Sequence, residues 1–438
     1  MRTISIVVGH ATAVVFALGG YSCTTATTTP SVPSEPMPAV GVDAAGAGGE
    51  APSVDAGGPA DRPADAGSFA TCTEVDVPVV GAPLQHEEWV GTHGFCDLGT
   101  SDVDGTRIAL PVGDSSSSGI GWSLFDPQTG TSVGSFDATR LFGLGFDGRR
   151  VLSGHRRFQG GRRDTALRDS FVTWDLGGGI VAESRIKVAA MALDPKGGAV
   201  VLVAVQPYGD YRLGIDLQRF DADGHSLHQA VPIARPVGNH SIIVAKVGVT
   251  ATGAAVAVYD GSDVLAEGVL VGQWFDRTGG SMTAPFEVAR GFDFSPYAQP
   301  RVDLHLSPLT DSILAVRIDG KWRATLHATE PRASLAPNWL VERPDTALYP
   351  VRNGRAFAST PFAEYVSRCR EQQLEIISPT GQTCGRVKFP GSVLVNESTC
   401  RWPELSVGAD GTVFQLETLS PGGQGVTCRW RWWPALLH

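Results

Sequence analysis

One short segment carries the residue pattern of a hydrolase nucleophile. Residues 130–134 read Gly-Thr-Ser-Val-Gly, so Ser132 stands where the G-x-S-x-G motif places a catalytic serine. That chemistry needs a sharp turn from a strand into a helix, because such a turn exposes the serine hydroxyl above a sheet. Both flanks of Ser132 are strand-like, and the same turn recurs in the chain without a serine. We therefore interpret Ser132 as a turn residue and predict no catalytic residue here.

A second segment has the composition of an anion-binding site. Seven arginines fall within residues 149–168, although the chain as a whole has a formal net charge of −10. Guanidinium groups match carboxylates and phosphates in geometry, so this segment is suited to an envelope glycan, a lipid head group or an acidic protein. The alternative is a solvated loop that balances neighbouring acids. The candidate binding residues, in a predicted long loop over 154–168, are His155, Arg156, Arg157, Arg162 and Arg163.

The sequence predicts no metal or cofactor site. No two histidines stand at a metal-ligand spacing, and H-E-E-W at 86–89 is not the H-E-x-x-H pattern. Glu87 and Glu88 alternate across a strand, so their carboxylates cannot share one site. No C-x-x-C pair and no phosphate-binding G-x-x-x-x-G-K occurs. The acidic net charge also argues against nucleic acid as a partner.

The elements that must position these residues follow a strand-and-turn repeat. From residue 76 onward, apolar residues alternate or form short runs broken by Gly, Asp or Asn, which is typical of an all-β protein. A short turn before an apolar strand recurs seven times over 306 residues, with a mean period of 51, beginning at Asp104, Asp147, Gly197, Thr252, Thr310, Asn353 and Asp410.

A second turn follows the first by about 25 residues in most repeats. It lies at residues 125–130, 174–179, 220–224, 275–280 and 377–381. Two such turns and a longer loop between them join four antiparallel strands into a blade, so the period predicts a β-propeller of seven blades. A double sandwich is the alternative, because it also uses many short strands. The last blade lacks one strand, which residues 76–90 are predicted to supply.

The turn Asp126-Pro-Gln-Thr-Gly130 resembles the D-x-x-T-G turn of quinoprotein-type propeller repeats, a style that some outer-membrane assembly lipoproteins also use. The resemblance implies propeller architecture, and it implies neither a quinone cofactor nor an assembly role. The large aromatics Trp122, Trp174 and Trp274 fall on equivalent third strands and are predicted to pack inside the blades.

The predicted topology separates two faces. The short-turn face carries the first-to-second and third-to-fourth strand turns, and the long-loop face carries the second-to-third strand loops and the blade-to-blade connections. Binding residues commonly lie on loops of a rigid scaffold, so we expect function on the long-loop face. Its further candidate binding residues, all in blade-to-blade connections, are His93, His240, Tyr297, Arg401 and Trp402.

The N-terminal segment predicts export. Arg2 precedes an apolar stretch, residues 4–18, that is too short to span a bilayer. The stretch from Leu18 to Cys23 resembles the lipobox of bacterial lipoproteins, which implies lipidation of Cys23 and, since Thr24 is not Asp, an outer-membrane location. A plain secretory signal, giving a secreted or periplasmic protein, is the alternative. The predicted organisation is a signal peptide over 1–22, a disordered tether over 23–75 and a propeller domain over 76–438.

The remaining cysteines suit an oxidising compartment. With Cys23 assigned to lipid, an even number remains for disulfides: Cys72, Cys96, Cys369, Cys384, Cys400 and Cys428. Strand spacing in the sixth blade puts Cys369 about 23 Å from Cys384, too far for a bond. We therefore expect Cys369–Cys400 over Cys369–Cys384 and assign no other pair.

Two function classes follow from this organisation. The first is a surface-anchored binding or assembly propeller that recognises a protein or an anionic envelope glycan through its long-loop face. The second is a glycan-active enzyme with acids at the mouth of the propeller, which needs two carboxylates within about 5–10 Å. The Asp-box pattern of sialidase-type propellers is absent from the chain, which disfavours that kind of enzyme.

Overall fold

The structure is a computed structural model. It describes residues 72, 75–91, 102–103, 108–112, 120–126, 131–138, 140–146, 150–158, 167–205, 214–235, 242, 244–261, 268–292, 302–344, 346–350, 357–361, 373–390, 394–396, 399–401, 404–408, 411–419 and 425–437. The predicted signal peptide, Cys23 and nearly all of the predicted tether lie outside these residues.

Within the described residues, the strands form seven four-stranded antiparallel sheets and one two-stranded sheet, which confirms the predicted all-β propeller. Strand β1 (Leu84–Gly91) precedes the first complete blade. Blade 1 contains β2 (Asp102–Val103), β3 (Ile108–Val112), β4 (Ile120–Phe125) and β5 (Ser132–Ala138). Blade 2 contains β6 (Arg140–Phe146), β7 (Val151–Phe158), β8 (Leu167–Trp174) and β9 (Ile180–Ser184). Blade 3 contains β10 (Val188–Leu193), β11 (Ala199–Val205), β12 (Gly214–Phe220) and β13 (Val231–Ala234).

The second half of the chain repeats this arrangement. Blade 4 contains β14 (Ala245–Val249), β15 (Ala255–Asp260), β16 (Gly268–Phe275) and β17 (Phe286–Phe292). Blade 5 contains β18 (Leu304–Pro308), β19 (Ile313–Ile318), β20 (Lys321–His327) and β21 (Ala333–Leu335), followed by the short helix α1 (Asn338–Val341). Blade 6 contains β22 (Thr346–Pro350), β23 (Phe357–Pro361), β24 (Gln373–Ile377) and β25 (Thr383–Lys388). A small hairpin of β26 (Leu394–Asn396) and β27 (Thr399–Arg401) precedes β28 (Glu404–Val407), β29 (Val413–Leu419) and β30 (Val426–Trp433) of blade 7.

The recurring aspartates form the third-to-fourth strand turns. Each carboxylate accepts hydrogen bonds from the backbone N–H groups two and four residues later, at 2.8 and 2.9 Å for Asp175 and at 2.8 Å each for Asp276. Asp221 does the same at 2.9 and 2.8 Å. A short acidic side chain that bonds its own turn favours this tight reversal over a longer strand. The sequence repeat is therefore a repeat of turn chemistry.

The core lies between successive blades, because alternate residues of each strand face opposite neighbours. In β15, the buried Val256 and Val258 pack with Leu304 and Leu314 of blade 5. The intervening residues of the same strand, Ala255, Ala257 and Tyr259, pack with blade 3 instead. Strand β15 is thus buried on both faces, which explains its nearly continuous apolar sequence.

The N-terminal strand completes the last blade. β1 pairs antiparallel with β30, so blade 7 has the order β1-β30-β29-β28. The prediction placed this strand over residues 76–90, whereas the strand itself covers Leu84–Gly91. On one face of this sheet, Arg431 bonds Gln85 and Gln415, both at 2.9 Å, and Arg429 bonds Glu87 at 2.5 Å and Glu417 at 3.4 Å. Blade 7 then meets blade 1, where the rings of Phe125 and Trp430 are 4.9 Å apart.

A disulfide attaches the segment before β1 to blade 6. Cys72 bonds Cys384, with their Cα atoms 5.0 Å apart. Val75 is buried with Leu374 and Val387 of the same blade. Cys72 and Val75, which the sequence boundary assigned to the tether, therefore belong to the fold. The prediction left Cys72 and Cys384 unassigned, and the pair was missed because strand spacing within one blade says nothing about a segment that returns from the N-terminus.

The structure describes some of the other predicted disulfide cysteines but not all of them. Because Cys384 bonds Cys72, the rejected Cys369–Cys384 pair does not form. Cys428 is also disulfide-bonded. Cys96, Cys369 and the side chain of Cys400 lie outside the described residues, so Cys369–Cys400 stays a prediction.

Candidate functional site

The short-turn face is joined across blades by ion pairs. Asp194, in the first turn of blade 3, is buried and accepts hydrogen bonds from Arg219 of its own blade at 2.9 Å and from Arg277 of blade 4 at 3.1 Å. Arg219 also donates to the carbonyl oxygen of Gly253 in blade 4 at 2.8 Å. Both guanidinium groups bond the one buried carboxylate, so this part of the short-turn face holds blades 3 and 4 together.

The long-loop face carries a different arrangement at the inner edge of blade 5. His305 is the second residue of the inner strand β18, and its imidazole is exposed among largely apolar neighbours. Its Nε2 lies 2.8 Å from Oδ1 of Asp303, which immediately precedes the strand. β18 begins on the long-loop face, because a blade-to-blade connection leads into it. The pair therefore lies at the long-loop end of the inner strand.

Asp303 is held mainly through its backbone, and its carboxylate has one further charged neighbour. The guanidinium of Arg317 in β19 lies 3.9 Å from its Oδ2, and Arg317 is anchored in turn by donation to the carbonyl oxygen of Thr346 in blade 6. The backbone N–H of Asp303 donates to Oδ1 of Asp319 at 2.9 Å, and the N–H of Asp319 donates back to the carbonyl of Asp303 at 2.9 Å. This frame fixes where the carboxylate can hold the imidazole.

The second-to-third strand loop of blade 5 is short, contrary to the general prediction. Its second and third strands are joined by Asp319 and Gly320 alone, with φ angles of 49° and 74°. Two successive residues with positive φ are typical of a type I′ hairpin turn, for which Asp-Gly is a favoured sequence. The hairpin therefore ends at the level of Asp303 and does not fold over His305.

Lys246 occupies the equivalent position in blade 4. It is the second residue of inner strand β14 and is exposed, while Val247 and Gly248 beside it are buried. Its ammonium forms no salt bridge with any residue that the structure describes. β14 and β18 are adjacent inner strands, and Lys246 and His305 are the second residues of each. Two adjacent inner strands thus bring to one region of the long-loop face a positioned imidazole and an ammonium that has no acidic partner among the described residues.

Although 46% of the His305 side chain is exposed, partial removal of the ring from water is the main cause that lowers its pKa below the ordinary value of 6.5. The positive charges of Arg317 and Lys246 lower the pKa further, and Asp303 opposes them both by charge and by its hydrogen bond. At neutral pH the imidazole is therefore uncharged. Because Nε2 faces the Asp303 carboxylate, it carries the proton, and Nδ1 is left as a hydrogen-bond acceptor.

Most of the predicted site residues are not brought together in the part of the chain that the structure describes. His93, Arg162, Arg163, His240, Tyr297 and Trp402 lie outside the described residues. The predicted loop over 154–168 is shorter than expected, because the β7–β8 ladder continues to the pair Phe158–Leu167. His155, Arg156 and Arg157 therefore belong to β7, where Arg156 stands opposite Asp169. Arg401 belongs to β27, opposite Leu394, and not to an irregular connection.

Sequence reasoning missed Lys246, Asp303 and His305. The signal that could have identified them is a charged or titratable residue at the second position of an otherwise apolar inner strand, as in AKVGV and LHLSP. Their proximity was not readable from the sequence, because it depends on how two adjacent blades pack.

Ser132 was interpreted as a turn residue, whereas the structure makes it the first residue of strand β5, directly after the turn. Its exposed hydroxyl donates to the Gly134 carbonyl oxygen at 3.3 Å. That the chain has no catalytic residue stays a prediction. Trp174 and Trp274 are buried in the blades, while the side chain of Trp122 lies outside the described residues. His86 stacks on Trp430 with ring centroids 4.7 Å apart, so the segment containing it serves closure of the ring.

No helix in the described part of the chain is long and apolar enough to cross a bilayer. No group of three or more His, Cys, Asp or Glu side chains there is arranged to hold a metal ion.

Comparison with known proteins shows similarity in fold only. No protein-family model matches the chain, and no curated protein matches it. Among solved structures, the polysaccharide lyase Uly1 is 11% identical, with 77% of this chain and 89% of that chain covered and a TM-score of 0.46. The β-propeller domain of the Trilobed protease from Pyrococcus furiosus is 11% identical, with coverage of 64% and 83% and a TM-score of 0.39. A prolyl endopeptidase is 11% identical with a TM-score of 0.45, and the match covers 77% of this chain but only 46% of that one.

Proposed function

We propose that this protein is an exported binding propeller that recognises a component of the cell envelope through its long-loop face. One observation carries the proposal. The long-loop face presents Lys246, which has no described acidic partner, beside an imidazole positioned by Asp303. On the short-turn face, by contrast, the described charges of Asp194, Arg219 and Arg277 are paired with one another. An unpaired charge next to a fixed acceptor is suited to a ligand.

The cysteines support the proposed compartment. The Cys72–Cys384 bond and the bonded state of Cys428 suit an oxidising environment, since disulfides persist outside the cytosol. An export signal over residues 1–22 and lipidation of Cys23 would bring the protein there. The long tether before Cys72 would then let the propeller stand away from a membrane surface.

The glycan-active enzyme is the weaker candidate. A glycosidase needs two carboxylates on opposite sides of the bond that is cleaved. At the inner edge of blade 5, the Asp303 carboxylate is occupied by His305 and lies next to Arg317. A second carboxylate, Asp319, lies on the same side of the sheet and accepts the backbone N–H of Asp303 at 2.9 Å. The remaining groups there, Lys246 and His305, are basic. This set favours binding an acidic group over general acid–base hydrolysis.

Lipid anchoring is tested by metabolic labelling with a palmitate analogue. We expect label on the wild-type protein and none on Cys23→Ala. Absence of label from the wild type, or label that survives the substitution, contradicts the anchor and leaves plain secretion.

Recognition is tested by co-sedimentation of the full-length Cys23→Ala protein with washed envelopes of a Gram-negative bacterium, so that no lipid contributes. Lys246→Glu should reduce co-sedimentation in a salt-sensitive manner, whereas Lys196→Glu, an equal charge change on the short-turn face, should not. Equal effects of the two changes, or no sedimentation of the parent protein, would refute recognition through the long-loop face. Saccharide fragments released into the supernatant would indicate the enzyme instead.

A further inference from the structure

The imidazole of His305 is oriented so that its Nδ1 can accept a hydrogen bond from a ligand. Its Nε2 is occupied by Asp303, and Asp303 is held by Arg317 and by the backbone pairing with Asp319. Nδ1 makes no hydrogen bond to any residue that the structure describes. Because the ring is already oriented, a ligand that donates to Nδ1 does not have to immobilise it first.

Lys246 supplies the complementary group. It lies at the same strand position in the adjacent blade, is exposed, and has no described acidic partner. Lysine is a strongly hydrated point charge on a flexible stem, so its ammonium can follow an acidic group over a few ångströms. Together with His305 it therefore suits a ligand that presents an anionic group and a hydrogen-bond donor close together.

Access to these groups is open where the structure describes their surroundings. The Asp319–Gly320 turn is too short to cover His305. The equivalent second position of the inner strand in blade 3 is Ala189, a small exposed residue. Blades 3, 4 and 5 thus present a small side chain, an ammonium and an imidazole at successive equivalent positions.

We propose that Lys246 and His305 form a binding site for an anionic saccharide, with the Lys246 ammonium on the acidic group and Nδ1 of His305 accepting from a neighbouring hydroxyl. Sugars that carry a carboxylate or a sulfate present this combination on one ring. An acidic peptide presents the charge without the adjacent hydroxyl, and a neutral sugar presents hydroxyls without the charge. The inference rests on the proposed recognition through the long-loop face and names its ligand class.

Isothermal titration of the full-length Cys23→Ala protein with four hexamers tests the site. The probes are galacturonic acid hexamer, sulfated galactose hexamer, neutral galactose hexamer and hexaglutamate. We expect one or both acidic sugars to bind about tenfold or more tightly than the neutral sugar and hexaglutamate, since each of the latter lacks one of the two contacts. Comparison of galacturonic acid hexamer with sulfated galactose hexamer shows whether the site binds a carboxylate or a sulfate.

Four single substitutions locate the binding. Lys246→Met removes the charge, and His305→Gln keeps an amide donor toward Asp303 while removing the acceptor at Nδ1. Each should weaken binding of the acidic sugar about tenfold. The matched changes Lys196→Met and His225→Gln, both at exposed positions on the short-turn face, should leave it unchanged. Superimposable melting curves for all four variants show that the fold is retained.

Different outcomes of these experiments distinguish failure of the Lys246–His305 site from failure of the proposed binding propeller. Acidic-sugar binding that survives both Lys246→Met and His305→Gln overturns this site but leaves an exported binding propeller intact. Equal affinity for hexaglutamate and the acidic sugars overturns the assignment to a saccharide and favours a protein partner. Failure of every hexamer to bind, in a protein that still sediments with envelopes, also overturns the saccharide site. Failure of both assays refutes the binding propeller itself.

Discussion

The covalent attachment of the N-terminal segment yields a quantitative prediction. The Cys72–Cys384 bond joins residues separated by 312 positions in the sequence and so restricts a very long loop in the unfolded chain. The loop-entropy relation gives about 6 kcal/mol for a loop of this size. Measured disulfides generally contribute about 2–5 kcal/mol, and the second bond at Cys428 further restricts the unfolded chain. We therefore expect the double substitution Cys72→Ser and Cys384→Ser to lower the free energy of unfolding by about 2–5 kcal/mol.

The double substitution should lower the stability while changing the native structure only near the N-terminal segment. In the double variant, β1 still pairs with β30 and the Glu87–Arg429 contact remains, but the segment before β1 is no longer fixed to blade 6. Urea unfolding followed by tryptophan fluorescence measures the change. Three of the ten tryptophans, Trp430, Trp432 and Trp433, belong to β30, so part of the signal reports on the closing blade. As a control, urea unfolding of the double variant is repeated with reductant, which shows how much the remaining disulfides contribute to its stability.

The reasoning would be refuted if the double variant unfolded at the wild-type urea midpoint with the same slope. A lower midpoint with an unchanged slope is the expected result, since the native fold exposes the same surface on unfolding. Loss of a cooperative transition would mean that the bond is needed for the ring to close and not only to stabilise it.

Four further predictions concern charged residues. Glu417 is buried beside Arg429 and Arg431, so Glu417→Gln should lower the free energy of unfolding by about 2–4 kcal/mol in urea titration, and no loss would contradict a buried ion pair. Lys246→Met should raise the pKa of His305 and Asp303→Asn should lower it, as measured by NMR titration, and the opposite directions would contradict the assigned causes. Since the pKa of folded His305 lies below its unfolded value of 6.5, its contribution makes the free energy of unfolding fall as the pH drops from 6.5 toward the folded pKa. Replacement of Arg156, Arg157, Arg162 and Arg163 with Ser should weaken salt-sensitive envelope binding without changing the melting curve, and unchanged binding would mean that these arginines are solvated surface.

The features that local chemistry determines could be predicted from the sequence. The aspartate turns at Asp175, Asp221 and Asp276 recur because each carboxylate bonds its own backbone, so their spacing revealed the blades. The closing strand was also readable, since a blade with three strands leaves an exposed edge that natural sheets avoid.

Features that depend on packing between distant segments could not be predicted. The Cys72–Cys384 pair joins the N-terminal segment to blade 6, and no local pattern favours it over the other pairings. Lys246 and His305 are about one repeat apart, and only the stacking of blades 4 and 5 brings their charges into range. The length of the β7 hairpin was misjudged because arginines were interpreted as loop residues, although the strand ladder continues through Arg156 and Arg157.

The central claim, ligand recognition at the inner edge of blades 4 and 5, is tested most directly by hydrogen–deuterium exchange with and without galacturonic acid hexamer. Protection should appear at residues 244–246 and 302–306, where β14 and β18 begin on the long-loop face. Residues 194–198 and 250–254, in the first turns of blades 3 and 4, should exchange as before. Protection confined to those short turns, with none at β14 or β18, would contradict the account.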